Sequence, residues 1–133
     1  MERNDSNYDK LNRLVRLKRD ALDEARLAKL YGDGITFGEA QRLVKELEVA
    51  KGFGSDIRQK IIWLVEEFGE FAHAYKHNDK AKMIEELIDM EFFILSILNI
   101  IGANPDVEFL RKLEKNWKRT PVNKNGEFHF DRR

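Results

Sequence analysis

The chain has no cysteine, only two prolines, no excess of charge of either sign, and no apolar run long enough to cross a bilayer. Without cysteine, disulfide scaffolds, thiolate-ligated zinc, iron–sulfur centres and thiol nucleophiles are all excluded. Lys and Arg (24) balance Asp and Glu (24) within 133 residues, so any function that depends on charge must be local. No global positive field points to a nucleic-acid polymer, and no acidic excess points to a solvating tail. The most apolar stretch, Phe92 to Ile101, is about half of the roughly 20 residues that a membrane-spanning helix needs. The opening segment MERNDSNYDK also lacks the apolar core of a secretory leader. The expectation is a soluble, cytoplasmic protein with no membrane contact. Because the prolines are Pro105 and Pro121, the chain up to Asn104 is free to be helical wherever the glycines fall in turns.

Helical spacing is what the rest of the chain shows. Leu11, Leu14, Val15, Ala21, Leu22, Ala25 and Ala28 recur at helical intervals among basic residues, predicting an amphipathic helix from about Tyr8 to Leu30 that Tyr31-Gly-Asp-Gly34 breaks. Thr36-Phe-Gly-Glu39 has the form of a capping box and predicts a second helix to about Ala50. Lys51-Gly-Phe-Gly54 ends it. Ser55 is then placed to cap a third helix, whose apolar stripe is Ile61, Val65, Phe68, Ala72 and Tyr75. His77-Asn-Asp79 is a short polar turn, so the third helix and a fourth, from about Lys80 to Ile101, are expected to form an antiparallel hairpin. Beyond Leu87 the fourth is apolar nearly all round, as befits the centre of a bundle or an oligomer interface. Gly102 stops it, and Asn104-Pro105-Asp106 supplies the cap, first-turn proline and acidic residue of a fifth helix running to about Arg119. Asn125-Gly126 then signals a turn in a tail or small hairpin. The fold class that follows is all-α, an antiparallel bundle of about five helices.

The chemistry is concentrated on the third and fourth helices. Trp63-Leu-Val-Glu-Glu-Phe-Gly-Glu70 is followed, after fifteen residues, by Glu86-Leu-Ile-Asp89. Glu67 and Glu70 share a helix face with Glu66 at its margin, and Glu86 and Asp89 share a face of the next helix, so a hairpin can bring the pairs together. An isolated Glu-x-x-Glu is ordinarily a solvated surface. Here, however, Glu86 and Asp89 lie on a line that continues through Phe93 and Ile97, an apolar track where an unpaired carboxylate would cost several kcal/mol. Carboxylates crowded in such a place either protonate or recruit a cation, and hard oxygen ligands select Mg²⁺ or Mn²⁺. Trp63 lies one turn before Glu67 on the same face, where an indole either stacks on a base or ribose or serves as rim packing. Trp117 and Phe53 are weaker candidates for the stacking role.

The pattern Glu66-Glu67-x-x-Glu70 with Glu86-x-x-Asp89 resembles that of the MazG-like, all-alpha nucleoside triphosphate pyrophosphohydrolases. The apolar lead Ile61-Ile-Trp-Leu-Val65, the small Gly69 and the closing Lys115-Asn-Trp-Lys-Arg119 fit the same resemblance. On this reading residues 35–121 are the catalytic core, residues 1–34 an N-terminal helical extension and residues 122–133 a tail. The resemblance implies hydrolysis of a (deoxy)nucleoside triphosphate between the α and β phosphates, giving a nucleoside monophosphate and pyrophosphate. It implies Mg²⁺, with Mn²⁺ as a substitute, on Glu67, Glu70, Glu86 and Asp89, and Glu66 as the catalytic base or an additional ligand. Lys115, Asn116 and Arg119, together with Lys112 on the adjoining turn, become candidates for holding the nucleotide. Basic residues near a helix C-terminus also complement its dipole, so that bland role stands beside the functional one. A homodimer or homotetramer is expected, because so apolar a central helix has more surface than a short chain covers alone.

Two other readings compete. Glu70-x-x-His73, with His77 a turn further on, has half the form of a di-iron carboxylate site but lacks a second Glu-x-x-His. The alternative from a different class is a non-catalytic helical interaction module whose fourth helix mediates assembly.

Overall fold

In the computed structural model, residues 24–119, 121–124 and 127–130 are described. They form five helices, α1 (Glu24–Asp33), α2 (Phe37–Lys51), α3 (Ile57–Lys76), α4 (Lys80–Ile101) and α5 (Pro105–Lys118), and two strands, β1 (Pro121–Lys124) and β2 (Glu127–Phe130). The all-α class is confirmed. The strands pair antiparallel with Lys124 opposite Glu127, so the tail forms the small hairpin that Asn125-Gly126 signalled. The larger part of the expected N-terminal helix, residues 8–23, lies outside the described residues.

The caps explain most of the helix limits. Thr36 accepts from the Glu39 amide at 3.1 Å while the Glu39 side chain accepts from the Thr36 amide at 3.2 Å, completing the capping box. Asp79 caps α4 through the Lys82 amide, and Asn104 caps α5 through the amides of Asp106 and Val107. Two limits differ from the sequence reading. The first helix runs three residues further than expected, to Asp33, because Gly32 stays helical and Gly34, at φ 77°, makes the left-handed break that other residues resist. The cap of α3 is Asp56 rather than Ser55: its carboxylate accepts from the Arg58 amide at 3.0 Å.

Helix α4 is the centre. It packs along α3 as an antiparallel hairpin and also against α2, which in turn meets α5. The α2–α5 junction depends on a close approach at Gly38, whose amide donates to both carboxylate oxygens of Asp106 at 3.2 and 3.3 Å. A Cβ at Gly38 would sit 2.7 Å from Asp106 Oδ2, so the contact requires glycine. Stacking of Phe37 on Phe109, with centroids 5.0 Å apart, and hydrogen bonds linking Gln41 with Ala103 and Asn99 complete the junction. At the other side, Arg26 holds α1 to α2 through a two-pronged ion pair with Glu46 at 2.9 and 3.1 Å.

The inward face of α3 is not the predicted apolar stripe. Ile61, Val65 and Phe68 are 47%, 64% and 61% exposed, and Tyr75 is exposed as well. The less exposed face of α3 is instead Lys60, Leu64, Glu67, Phe71 and Ala74, each one position before a residue of that stripe, with Trp63 beside them. Periodicity located an apolar face correctly but not what that face meets: in the single chain it is left to solvent.

Candidate metal and nucleotide site

The α3–α4 hairpin carries Glu67 and Glu70 on one side and Glu86 on the other, and an oxygen from each lies within 4.8 Å of the others. Glu86 is fully buried, at 0% exposure, on the apolar track that runs along α4. Neither of its oxygens, nor Glu67 Oε2, receives a hydrogen bond of good geometry. Lys82, one turn earlier on α4, places its Nζ 2.7 Å from Glu86 Oε1, an ion pair off the hydrogen-bonding direction. The half-exposed Lys82 also reaches Glu85 at 3.3 Å.

These surroundings set Glu67 and Asp89 apart from Glu86 in protonation. Burial, followed by hydrogen bonding with Glu86 and the negative charges of Glu70, Asp89 and Glu86, pushes the Glu67 carboxyl from its ordinary 4.5 up to about 7. Glu86 moves the other way, held below the usual range by Lys82 first and then by Glu67. Asp89 is raised by burial and then by the charges of Glu86 and Glu85. The orphaned oxygens follow from the same competition: ionised carboxylates have no proton to offer one another, whereas a proton held on Glu67 makes it a donor to Glu86. Three carboxylates that bring an oxygen each within 4.8 Å, with buried oxygens of Glu67 and Glu86 lacking a donor of good geometry, fit a hard divalent cation.

Asp89 lies one turn beyond Glu86 and faces a pocket of about 410 Å³ beside the cluster. Glu67 and Trp63 line the same pocket, as do Phe53, Phe92 and Phe93, and α2 forms its far wall with Val44, Leu47 and Glu48. Trp63 is half-buried and tilts against Phe93 at a centroid distance of 5.7 Å. Glu66 points to the exposed side of α3, apart from the three clustered acids. Lys112, Lys115, Asn116 and Arg119 lie towards the end of α5 and belong neither to the carboxylate cluster nor to the pocket lining. There Arg119 donates to Asn116 Oδ1 at 3.4 Å. Trp117 is 85% exposed and borders a separate apolar groove on α5. His73 and His77 stack at 4.2 Å near the exposed end of α3, and the clustered ligand atoms among the described residues are all carboxylate oxygens.

Sequence reasoning passed over Lys60, Lys82 and Glu48. Lys82 carried a signal, the four-residue spacing to Glu86 that favours an ion pair on a helix. Lys60 carried a weaker one, standing three residues before Trp63 and seven before Glu67 on their face. Glu48 carried none, since only the crossing of α2 over α4 brings it to the pocket.

Residues 57–122, about half of the chain, match the family model described as the MazG nucleotide pyrophosphohydrolase domain. The chain belongs to the MazG-like family. The match spans the hairpin with all five motif acids, so this MazG-like domain is of a kind that hydrolyses acid anhydrides of nucleotides. It begins at the first residue of α3, leaving α2 and its wall of the pocket outside the matched segment. Curated proteins and solved structures offer no match to the chain. No helix among the described residues is long and apolar enough to cross a membrane.

Proposed function

We propose that this MazG-like chain hydrolyses a (deoxy)nucleoside triphosphate between the α and β phosphates, with Mg²⁺ held by Glu67, Glu70, Glu86 and Asp89. The observation that carries the reading is the meeting of Glu67, Glu70 and Glu86 across the hairpin, where both buried oxygens of Glu86 and one of Glu67 have no hydrogen-bond donor of good geometry among the described residues. Mg²⁺ bound there supplies a positive charge against the triphosphate and lowers the pKa of a coordinated water; Mn²⁺ offers the same chemistry. The protein's own contribution is positioning. Burial of Glu86 fixes one ligand rigidly, and Lys82 keeps that acid ionised and ready. Glu66, next to Glu67 in sequence but on the exposed side of α3, would accept the proton of the attacking water as the water oxygen bonds to phosphorus and pyrophosphate departs. Trp63 and the aromatic pocket receive the base or ribose.

Lys115, Asn116 and Arg119 stand apart from the cluster within one chain, so in this proposal they hold the phosphates bound in a neighbouring subunit of a homodimer or homotetramer. The exposed Ile61, Val65 and Phe68 stripe supports such assembly. The experiment is product analysis on a nucleotide panel with Mg²⁺, using the intact chain, Glu70→Ala and Asp89→Ala. Monophosphate and pyrophosphate from the intact chain alone are the expected result. No turnover of any nucleotide, with no Mg²⁺-dependent binding, would reject the enzyme in favour of the helical interaction module.

A further inference from the structure

The pocket beside the acids contains a charge pair that the carboxylate motif does not explain. Lys60 is 2% exposed, deep on the inner face of α3, and its Nζ donates to Glu48 Oε2 at 3.2 Å. Its remaining surroundings are aromatic, with Nζ 5.5 Å from the Trp63 ring and 5.8 Å from the Phe53 ring. An ammonium has three donors, and Glu48 is the one oxygen partner found for it among the described residues. The other two N–H groups have no oxygen partner among the described residues, and aromatic rings flank the buried ammonium. Burying such a pair seldom stabilises a fold relative to apolar side chains of similar size, so its presence in a pocket wall calls for a ligand. The ligand's shape follows from the walls. Trp63, Phe53, Phe92 and Phe93 surround a space suited to a planar ring, and the acids that would bind the phosphates open on the same space through Glu67 and Asp89.

We propose that Lys60 and Glu48 read the hydrogen-bonding edge of the nucleobase and make this site selective for bases bearing an exocyclic amine over uracil and thymine. The inference rests on the proposed nucleotide chemistry and adds the base class to it. The protein offers donors beside acceptors, in two blocks. Cytosine presents its edge in matching blocks: the N4 amine donates to Glu48, while N3 and O2 both accept from the two N–H groups of Lys60 that Glu48 does not use. Guanine presents the two blocks in the reverse order from its sugar, so with the base turned over O6 lies on Lys60 and N1–H and N2–H on the Glu48 carboxylate. Adenine supplies one donor and one acceptor side by side. In uracil and thymine the lone N3–H donor sits between two carbonyls, so pairing it with Glu48 sets one carbonyl on Lys60 and the other against the carboxylate with no donor. A buried site built to hydrogen-bond one edge rejects the edge that leaves its groups unpaired.

The test uses a matched pair of ligands, dCMP and dUMP, bound to the full chain and followed by titration calorimetry, which needs neither turnover nor metal. The proteins are the intact chain, Lys60→Met, Glu48→Gln, and the Lys60→Met/Glu48→Gln double variant, which leaves no charge stranded if a single variant folds poorly. The expected result is binding of dCMP at least about tenfold tighter than dUMP by the intact chain, with the ratio falling within about threefold in the variants that retain the native helical signal. Pair residues that only support the fold would shift both affinities together and leave the ratio alone. Equal affinities, a preference for dUMP, an unchanged ratio in the double variant, or no binding of either nucleotide would each overturn the inference. Failure of the parent reading shows separately, as absence of pyrophosphate release from every triphosphate in the presence of Mg²⁺.

Discussion

The two faces of α3 divide their polarity in an unusual way. Its inner face sets Lys60 and Glu67 among Leu64, Phe71 and Ala74, while its outer face leaves Ile61, Val65 and Phe68 in water. A helix evolved only for the stability of one chain would place these the other way round, since burying apolar area is the main favourable contribution to folding. The proposed function assigns the inner face to ligands and the outer one to contact beyond the chain. Each assignment can be broken separately.

The largest effect is expected inside. Glu86→Gln keeps the shape but removes the buried charge, and turnover of triphosphate should fall by more than about a hundredfold, beyond what a group supporting a metal ligand contributes. The melting temperature of the metal-free protein should not fall, because the crowding of acids is relieved. Steady-state kinetics and a thermal melt of the same sample check both, and a large loss of stability would show that Glu86 serves the fold instead. On the outer face, Val65→Glu places charge in the middle of the exposed stripe. Sedimentation should show smaller assemblies, and stability should drop by about 1.5 kcal/mol per subunit through lost Val burial. An unchanged sedimentation profile would show that this face meets no second copy.

The third test concerns pH. Glu67 keeps its proton in the native state up to about pH 7, whereas in the unfolded chain the same group ionises near its ordinary 4.5. Between these values the folded state binds more protons, so its contribution makes the metal-free protein less stable as pH rises from about 4.5 to about 7, with little further change above. Mg²⁺ competes with that proton and should raise the melting temperature more at pH 8 than at pH 5.5, by several degrees at saturation. A Mg²⁺ effect independent of pH would detach Glu67 from the metal. The smallest effect belongs to neither face: Thr36→Ala removes the α2 cap and should cost about 1 kcal/mol in a denaturant melt, with turnover at saturating substrate unaffected.

Local signals were read well from the sequence. The Thr36 box, the His77–Asp79 turn, the α4 stop at Gly102 and the hairpin all depend on neighbours a few residues apart, and the structure has them where the residues indicate. The meeting of Glu67, Glu70 and Glu86 was legible for the same reason, since one short turn fixes the register of two long helices. What could not be read depends on distant contacts. Nothing within α3 states which of its two periodic faces meets α4, and the apolar one was the natural choice for the core. Nothing near Glu48 indicates that it reaches Lys60, because that contact is set by the angle at which α2 crosses α4. Nor does anything within α5 indicate that Lys115, Asn116 and Arg119 stand apart from the acids and the pocket, because that separation is set by how the helices pack.

The Asp106 contact has a mechanical meaning. This carboxylate sits in the first turn of α5 and also accepts from the start of α2, so one negative charge serves two positive helix ends. The same corner is tied further by the Phe37–Phe109 contact and by the Gln41 hydrogen bonds with Ala103 and Asn99, so the helix that carries the far wall of the pocket is anchored at one end by residues that belong to neither the acids nor the pocket.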